Sequence, residues 1–515
     1  MRGNFRQSMA WLHTWTGLVV GWVLFVIFVA GTLACFDKEL DYWMRPALHH
    51  LAPAPVSMDA ALDTLRKMAP HAETLYLRPP SARDPSIHGL VFEPGKPYID
   101  VALDPHDGRL IPPTAGGTFF FVLHYNLQAG DTGMYLVGLA GMLMLMALIT
   151  GIIIHRRIFK DFFVFRPKRG GQRAWLDGHN LTGVLGLPFH LMIAYTGVAI
   201  LVFSYMSAGV QIGYKGDFAQ FYEALQGHSA PVAQREPLIR LASLNAILAD
   251  AMQRLHGPAL YLEVQNIHDA SATISVLESG DNDVMGGRRA LNYRGVDGAF
   301  LGKDKGPDTA DRVYAFLSGL HRVQFGSVAL RWLYFLLGIA GCVMLACGMQ
   351  VWVAKRVGQA TATDAPIGDR LVRALNISVV AGMPPACAAL LWIDRLLPPS
   401  LALRDQWEIR CFWTIWLLSA CWGVLRLKRT PWRELFMATA VLLTALPLMN
   451  AITSPRSSLL YSLTNHDNVL AGVDVTAFTL GLGFTWLAWK CRTGSATRLS
   501  LSEDKLQTRV DEVAP

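Results

Sequence analysis

The chain has 515 residues, of which 52% are hydrophobic and 17% charged, with a mean hydropathy of +0.30. Soluble domains carry about 25% charged residues, so this composition excludes an ordinary soluble protein and favours a polytopic one whose partner is the lipid bilayer. The net charge of +7 comes from Arg and Lys that cluster beside the apolar runs, where they set topology. We therefore expect no nucleic-acid partner.

Eight apolar runs are long enough to be transmembrane helices, since a hydrocarbon core of about 30 Å needs about 20 residues. They cover about residues 11–35, 134–155, 181–205, 328–353, 371–393, 407–425, 434–452 and 469–489. The first run lacks a convincing cleavage site, so we expect it to be retained as an anchor.

Basic residues predict the orientation of these runs. The segment from His155 to Arg173, after the second run, holds seven Arg or Lys and one Asp. Further basic residues flank the other apolar runs at the ends that lie on this same side of the membrane. The positive-inside bias assigns that side to the cytoplasm. Both termini are therefore predicted to be cytoplasmic.

Two long segments, 37–118 and 207–319, then lie outside. Each begins with an amphipathic helix pattern, such as MDAALDTLRKMAP in the first and LASLNAILADAMQRL in the second. Short alternating strands with Asp-Gly turn signals follow in both. We predict two small α+β modules, so that the fold class is an all-α polytopic membrane protein with two exported α+β modules.

A repeated pattern links the two halves of this region. The motif H-x-x-T-G begins at His13 and at His179, and a second glycine lies 18 residues beyond each histidine. Leu-His pairs end at His124 and His321, each followed by glycines 17 and 27 residues later. The glycines concerned are Gly31, Gly197, Gly141, Gly151, Gly338 and Gly348. This matched spacing predicts an internal duplication, in which helix, exported module and helix are used twice.

Six histidines lie at or within the first four runs: His13, His124, His155, His179, His190 and His321. Ionisable side chains at membrane depth are costly and are functional by default. Duplication and topology pair His13 with His179 on the cytoplasmic side and His124 with His321 on the outer side. Two facing imidazoles are the axial ligands of a six-coordinate haem, so we predict two haem b groups, one near each membrane face.

His155 and His190 break the symmetry, because Trp352 and Leu24 occupy the equivalent positions. His155 lies at the cytoplasmic end of the second run, and His190 lies near the midplane, about 16 Å deeper than His179 at helical rise. Either could replace one member of the cytoplasmic pair, and the sequence leaves this open.

Other cofactors fit the pattern less well. No two of these histidines are spaced i, i+4 as in H-E-x-x-H zinc sites, although a histidine-only copper or zinc site stays possible. The chain has no C-x-x-C-H, so haem would be held without a covalent link. No G-x-G-x-x-G opens a nucleotide-binding unit, so the electron donor must be a separate flavoprotein or a membrane quinol.

The motifs H-x-x-T-G, L-H and ITGIIIHRR, interrupted by two α+β modules, resemble the PepSY-associated transmembrane helix family over about residues 8–357. The resemblance implies a Gram-negative inner membrane, PepSY-like periplasmic modules, haem, and a link to iron uptake through reduction of ferric siderophores. The domains are then predicted at 8–36, 37–118, 119–157, 158–178, 179–206, 207–319, 320–356, 370–492 and 493–515.

The expected function is that of a membrane-bound b-type cytochrome reductase. It would take electrons from the cytoplasmic side, through the site of His13 and His179 and then that of His124 and His321. The acceptor would be a periplasmic ferric siderophore. Reduction of its Fe(III) to Fe(II) weakens binding of the metal by the hard oxygen ligands of the chelate. An alternative is a non-redox permease or assembly factor for an iron chelate, and another makes the modules binding domains anchored by the helices. The last four runs carry no histidine, so we assign them packing or partner docking.

Overall fold

The computed structural model of the chain describes residues 4–49, 54–93, 98–155, 171–217, 221, 240–280, 283–287, 289–304, 306, 308–323, 325–357, 366–427 and 431–511. Seven of its helices are long and apolar enough to cross a membrane, and a bent pair makes an eighth crossing if it counts as one span. The protein is therefore a multi-pass membrane protein, as the composition predicted. Most of the predicted basic loop, residues 156–170, lies outside the described residues.

The helices follow one another along the whole chain. Before residue 358 they are α1 (Phe5–Ala34), α2 (Asp37–Trp43), α3 (Met58–Met68), α4 (Thr118–Asn126), α5 (Gly130–Ile154), α6 (Gly171–Leu185), α7 (Leu187–Ile200), α8 (Val202–Tyr205), α9 (Ala208–Gly213), α10 (Leu244–Leu255), α11 (Thr309–Arg322) and α12 (Val328–Val357). After it they are α13 (Ile367–Asn376), a π-helical turn (Ile377–Ala381), α14 (Met383–Leu396), α15 (Arg404–Leu425), α16 (Pro431–Thr453), α17 (Leu459–Thr464) and α18 (Asn468–Asp511).

These elements form two compact units. The first comprises Met1–His13, Ile27–Arg156 and Gly183–Gly341, and the second comprises Thr14–Val26, Arg157–Thr182 and Cys342–Pro515. The long helices α1 and α12 and the helix α6 each contribute residues to both units.

The third predicted span, expected as one helix over about 181–205, is instead broken. α6 and α7 meet at an angle of 70°, and α6 begins at Gly171, ahead of the predicted boundary at 179. The break falls at Gly186, and Pro188 occupies the first turn of α7. Proline has no N–H to donate to the preceding turn, which is why the helix bends here.

The second and fourth predicted spans are each preceded by a separate short helix. α4 ends at Leu127, whose φ is 54°, and α11 ends at Val323, whose φ is 48°. A left-handed residue at this position terminates a helix. The chain then turns into α5 and α12, so that His124 and His321 lie on α4 and α11 rather than on the spans themselves.

The strands predicted for two separate modules lie in one antiparallel sheet. It contains β1 (Thr74–Arg78), β2 (Ile87–Phe92), β3 (Ile99–Leu103), β4 (Ala259–Gln265), β5 (Thr273–Glu278), β6 (Ala290–Arg294) and β7 (Phe300–Lys303), in the order β3-β2-β1-β4-β5-β6-β7. β1 of the first segment pairs with β4 of the second, with Leu77 opposite Leu262. Pairing of these two strands protects the edge that each half would otherwise expose.

One core lies between the sheet and the helices α3 and α10. Both helices begin at a serine whose side chain accepts from the backbone three residues on, Ser57 from Ala60 and Ser243 from Ala246. Asp59 joins the two helix starts, because it accepts from the Ser243 hydroxyl at 2.6 Å and from the Leu244 N–H at 2.6 Å.

The second unit contains a cluster of buried charges among its last helices. Asp394 accepts from Arg395 at 2.8 Å and from Arg404 at 3.0 Å, and Arg404 also pairs with Glu408 at 2.5 Å. Asn450 donates to Asp474 at 3.1 Å. A buried charge is tolerated where it is paired and hydrogen-bonded, so this network ties α14, α15, α16 and α18 together.

If the sheet has a single core, a destabilising substitution in β4 should also lower the stability of β1–β3. Leu262 is fully buried, so Leu262→Ala should cost about 2–5 kcal/mol. Hydrogen–deuterium exchange should then rise in residues 74–103 as well as in 259–303. Leu260→Ala is the control, because Leu260 is 37% exposed and should change little. An increase confined to 259–303 would mean two independent modules.

Candidate functional site

Three of the predicted histidines have the same setting, in which the ring Nδ1–H donates to a main-chain carbonyl on another helix. The distances are 2.8 Å from His13 to Ala147, 2.8 Å from His179 to Met344 and 2.9 Å from His124 to Ile27. A carbonyl oxygen can only accept, so each bond fixes the tautomer and leaves Nε2 with its lone pair. This is how proteins orient imidazoles that ligate metals.

His321 has a related setting. Its Nδ1 lies 3.1 Å from Thr196 Oγ1, beside the backbone of Ile193. The Thr196 hydroxyl is itself committed, because it donates to the Met192 carbonyl at 2.8 Å. The Nδ1 atom of His321 is therefore the proton-bearing nitrogen, as in the other three histidines.

A glycine stands against each of these rings. A Cβ atom added to Gly31 would lie 2.6 Å from His124 Nδ1, and one added to Gly197 would lie 2.8 Å from His321 Cε1. The corresponding distances are 3.0 Å from Gly348 to His179 Nδ1 and 3.2 Å from Gly151 to His13 Cε1. For His124, His13 and His179 the glycine comes four residues after the residue whose carbonyl binds the ring, namely Ile27, Ala147 and Met344. Gly197 likewise comes four residues after Ile193, whose backbone lies beside His321.

The structure brings His124 and His321 face to face in the first unit. Their Nε2 atoms are 3.5 Å apart, and their ring centroids are 5.8 Å apart with 30° between the ring planes. Burial lowers the pKa of both imidazoles, that of His321 to about 3 with a further contribution from His124. Both rings are therefore neutral at pH 7.

Because both Nδ1 atoms carry the proton, two Nε2 lone pairs point at each other at 3.5 Å with no proton between them. Such a contact is unfavourable by itself, and an electron-pair acceptor placed between the nitrogens would relieve it. Among the described residues no group of three or more His, Cys, Asp or Glu side chains could hold a metal ion. Within the part of the chain that the structure describes, the site thus offers two imidazoles and no third His, Cys, Asp or Glu ligand.

Residues outside the pair hold its two short helices in place. The carboxylate of Asp41 accepts from the Gly117 N–H at 2.8 Å and from the Thr118 hydroxyl at 3.2 Å, at the first turn of α4. A carboxylate at a helix N-terminus also matches the helix dipole. On α11, the carbonyl of Val284 lies where a side chain at Gly319 would be, two residues before His321.

The remaining predicted ligands have individual settings. His13 lies in the first unit and His179 in the second, so their pairing stays a prediction from the sequence. His155 ends α5 and its backbone N–H donates to Gly151 at 3.2 Å. Any ligand role of His155 also stays a prediction.

His190 is fully buried and differs from the other five. Its Nδ1 has no hydrogen-bond partner in the described residues, and its Nε2 lies 3.4 Å from the Leu337 carbonyl. Phe28 and Phe189 pack edge-on against the ring, with centroids 5.9 and 5.7 Å away. The replacement of a cytoplasmic-side ligand by His190 stays a prediction.

The sequence interpretation missed the groups that orient these rings. Main-chain carbonyls carry no sequence signal of their own, but the glycine four residues further on does, and the matched glycine spacing had already marked it. Asp41 was also missed, because nothing in the sequence distinguishes it from the other acidic residues of this polar segment.

The sequence matches the PepSY-associated TM region family over residues 10–355. It is also similar to an uncharacterized protein of Pseudomonas aeruginosa, with 29% identity over 322 residues, which are 59% of this chain and 78% of that protein. The match to the family covers the four histidines and the four glycines described above, and stops before the last four spans.

The contacts between histidine rings and glycines predict different effects for two Gly→Ala substitutions in α1. Gly31→Ala places a methyl group 2.6 Å from His124 Nδ1, so it should destabilise the fold by about 1–3 kcal/mol through overpacking. Gly17→Ala meets nothing within 4 Å and should gain up to about 1 kcal/mol of helix propensity. Thermal unfolding of the purified variants measures both. Equal unfolding temperatures would show that His124 does not pack on Gly31.

Proposed function

The chain belongs to the PepSY-associated TM region family, and from this membership we propose that it is a haem-binding oxidoreductase of the bacterial inner membrane. It would pass electrons from the cytoplasmic side to a periplasmic acceptor, a ferric siderophore, for iron uptake. The single observation that carries the proposal is the approach of the two Nε2 atoms, of His124 and His321, to 3.5 Å of each other.

The donor set fits a haem iron better than a bare metal ion. A porphyrin supplies four nitrogens, so the protein needs to add only two axial ligands, and two imidazoles are what the described residues offer. Metal–imidazole bonds of about 2.0 Å each would set the two Nε2 atoms about 4 Å apart. The observed 3.5 Å is short of that by about half an ångström, within the reach of small ring rotations.

When bound, haem would supply one-electron redox chemistry. The contribution of the chain is to hold two neutral imidazoles in one orientation. The carbonyl of Ile27 and the hydroxyl oxygen of Thr196 would retain the Nδ1 protons of His124 and His321, which makes Nε2 more basic. Gly31 and Gly197 let the rings lie against the backbone of neighbouring helices, which keeps side chains away from the space in front of Nε2.

We extend the proposal to His13 and His179 as the second, cytoplasmic-side pair. Support comes from chemistry rather than from a measured distance between them: each donates Nδ1–H to a carbonyl and rests on a glycine four residues later. The residues Ala147 and Met344 both lie 23 positions beyond the Leu-His histidine of their own half. This repeated spacing supports an internal duplication of the first 357 residues.

The sheet is then the periplasmic part, formed by two PepSY-like segments, and both termini are cytoplasmic. A ferric siderophore would reach the protein from that side, and electrons would come from a separate flavoprotein or from a quinol. Reduction to Fe(II) weakens binding by hard oxygen donors, which prefer Fe(III), so the reaction would release iron from its chelate.

The absorption spectrum tests the cofactor directly. Purified protein should show a Soret band and, after dithionite, sharp α and β bands from two haems per chain. His124→Ala and His321→Ala should each lose one haem, because one imidazole cannot hold the group in six-coordination. His106→Ala is the control, since His106 lies in a turn against Pro55. Full occupancy and unaltered bands in both variants would exclude this pair as ligands.

Alkaline phosphatase fusions test the orientation. A fusion after Gly257 should be active, because this residue lies in the segment assigned to the periplasm, and one after Val357 should be inactive. Inverting the fusions to a cytoplasm-active reporter such as β-galactosidase should give the opposite pattern. Activity of the phosphatase at Val357 with none at Gly257 would reverse the direction of electron flow.

A further inference from the structure

The sheet has two different faces. One packs on α3 and α10 through residues such as Leu75 and Leu262. Residues directly opposite each other in antiparallel strands share a face, and the register aligns Leu90, Tyr76, Glu263, Ser275 and Asn292 across the other face, which we call the open face.

Glu263, at the centre of the open face, is a buried carboxylate with an unusual set of partners. It is 6% exposed. Tyr76 donates to its Oε1 at 2.9 Å and Gln265 donates to the same oxygen at 2.8 Å. Both donors are neutral, and no Lys, Arg or His among the described residues pairs with this carboxylate. A buried carboxylate is normally paired with a cation, so within the described residues Glu263 lacks the charge that would balance it.

Asp84, a second buried carboxylate, differs from Glu263 because it has Arg78 and His88 beside it. Burial alone would raise the pKa of Asp84, but hydrogen bonds from His88 and Ser86 hold it well below its usual range. His88 Nε2 lies 2.8 Å from Asp84, and Arg78 lies 3.8 Å from it. Burial, followed by the charge of Glu263, raises the pKa of Tyr261 to about 12.

Four aromatic rings form a strip beside Glu263. Tyr261 and Tyr76 have centroids 5.8 Å apart, Tyr76 and Phe92 5.7 Å, and Phe92 and Tyr98 6.1 Å. The far end is open, because Phe92 is 51% exposed and Tyr98 is 63% exposed. Exposed aromatic side chains that lie together mark a binding surface rather than a core.

We propose that the open face, from Glu263 to Tyr98, binds the electron acceptor and selects an iron chelate that carries an ammonium group. The inference rests on the proposed function for the identity of the acceptor. The ammonium group binds at Glu263 Oε2, which accepts no hydrogen bond from the described residues, and lies over the faces of Tyr76 and Tyr261, where cation–π attraction adds to the charge. The body of the chelate packs on Phe92 and Tyr98.

Charge complementarity decides between classes of chelate. A trihydroxamate complex of Fe(III) is neutral, and a pendant primary amine makes it cationic, whereas a triscatecholate complex is strongly anionic. An anionic chelate would meet the carboxylates of Glu263 and Asp100; Asp100 lies opposite Leu90 on this face, 3.4 Å from His88 Nδ1. Like charges in a desolvated site repel, so the triscatecholate should bind weakest.

Binding can be measured without redox chemistry. Full-length protein in detergent is titrated by calorimetry with a Ga(III) trihydroxamate that carries a primary amine, and with the same complex after acetylation of the amine. Ga(III) resembles Fe(III) in charge and size but is not reduced. The wild type should bind the amine form about tenfold more tightly, the size of one charged hydrogen bond.

The matched variants are Glu263→Gln and Asp63→Asn, which remove the same charge from opposite sides of the sheet, since Asp63 is an exposed residue of α3. Glu263→Gln keeps the oxygen that Tyr76 and Gln265 bind, so the sheet should fold. It should bind both chelates equally, whereas Asp63→Asn should keep the wild-type preference. Phe92→Ala should weaken both chelates about fivefold and leave the preference unchanged.

Two results would overturn the proposal: no preference for the amine in the wild type, or the same preference in Glu263→Gln as in Asp63→Asn. Neither depends on haem, because the probe contains gallium and the readout is binding. A colourless preparation that still prefers the amine form would end the proposed redox function and leave this site in place. A haem-loaded preparation without the preference would end the proposed ammonium site and leave the redox function in place.

Discussion

The hydrogen bond from a histidine Nδ1–H to a main-chain carbonyl of a facing helix is the interaction on which the account depends. It fixes the tautomer of the imidazole and directs Nε2 away from the helix. It needs no second polar side chain, because the acceptor is a main-chain carbonyl. It also imposes a constraint. The ring lies so close to the helix that the residue four positions further on can have no side chain, as at Gly31 for His124.

Other features of the structure serve this arrangement. α4 and α11 are short helices, each ended by a left-handed residue. Because of this break, His124 and His321 lie on helices that are separate from the spans α5 and α12. Asp41 anchors the first turn of α4, and the loop at Val284 packs on Gly319 of α11. Strands from both predicted modules share one sheet, so the two segments that support the histidine pair are joined.

Much of this could be predicted from the sequence, and the failures have physical causes. Hydropathy located the seven helices long enough to cross a membrane and the bent pair α6–α7. The matched spacing also marked the glycines that lie against histidine rings, although Gly151 contacts His13 and Gly348 contacts His179 rather than the Leu-His histidine from which each was counted. The break at Gly186 was not predicted, because the apolar run continues through it. The β1–β4 pairing was missed because strand partners far apart in sequence leave no local signal. The buried charges around Asp394 were not predicted, because charged residues near the boundary of an apolar run are usually solvated.

The most direct test of the central claim is chemical rescue of the histidine pair. His124→Gly and His321→Gly, each purified with and without free imidazole, are examined by haem content and by low-temperature electron paramagnetic resonance. If the two rings are axial ligands of one iron, imidazole in the medium should restore the missing haem and its low-spin ferric signal in both variants, and should change nothing in His106→Gly. Variants that hold both haems in low-spin form without imidazole would contradict the account.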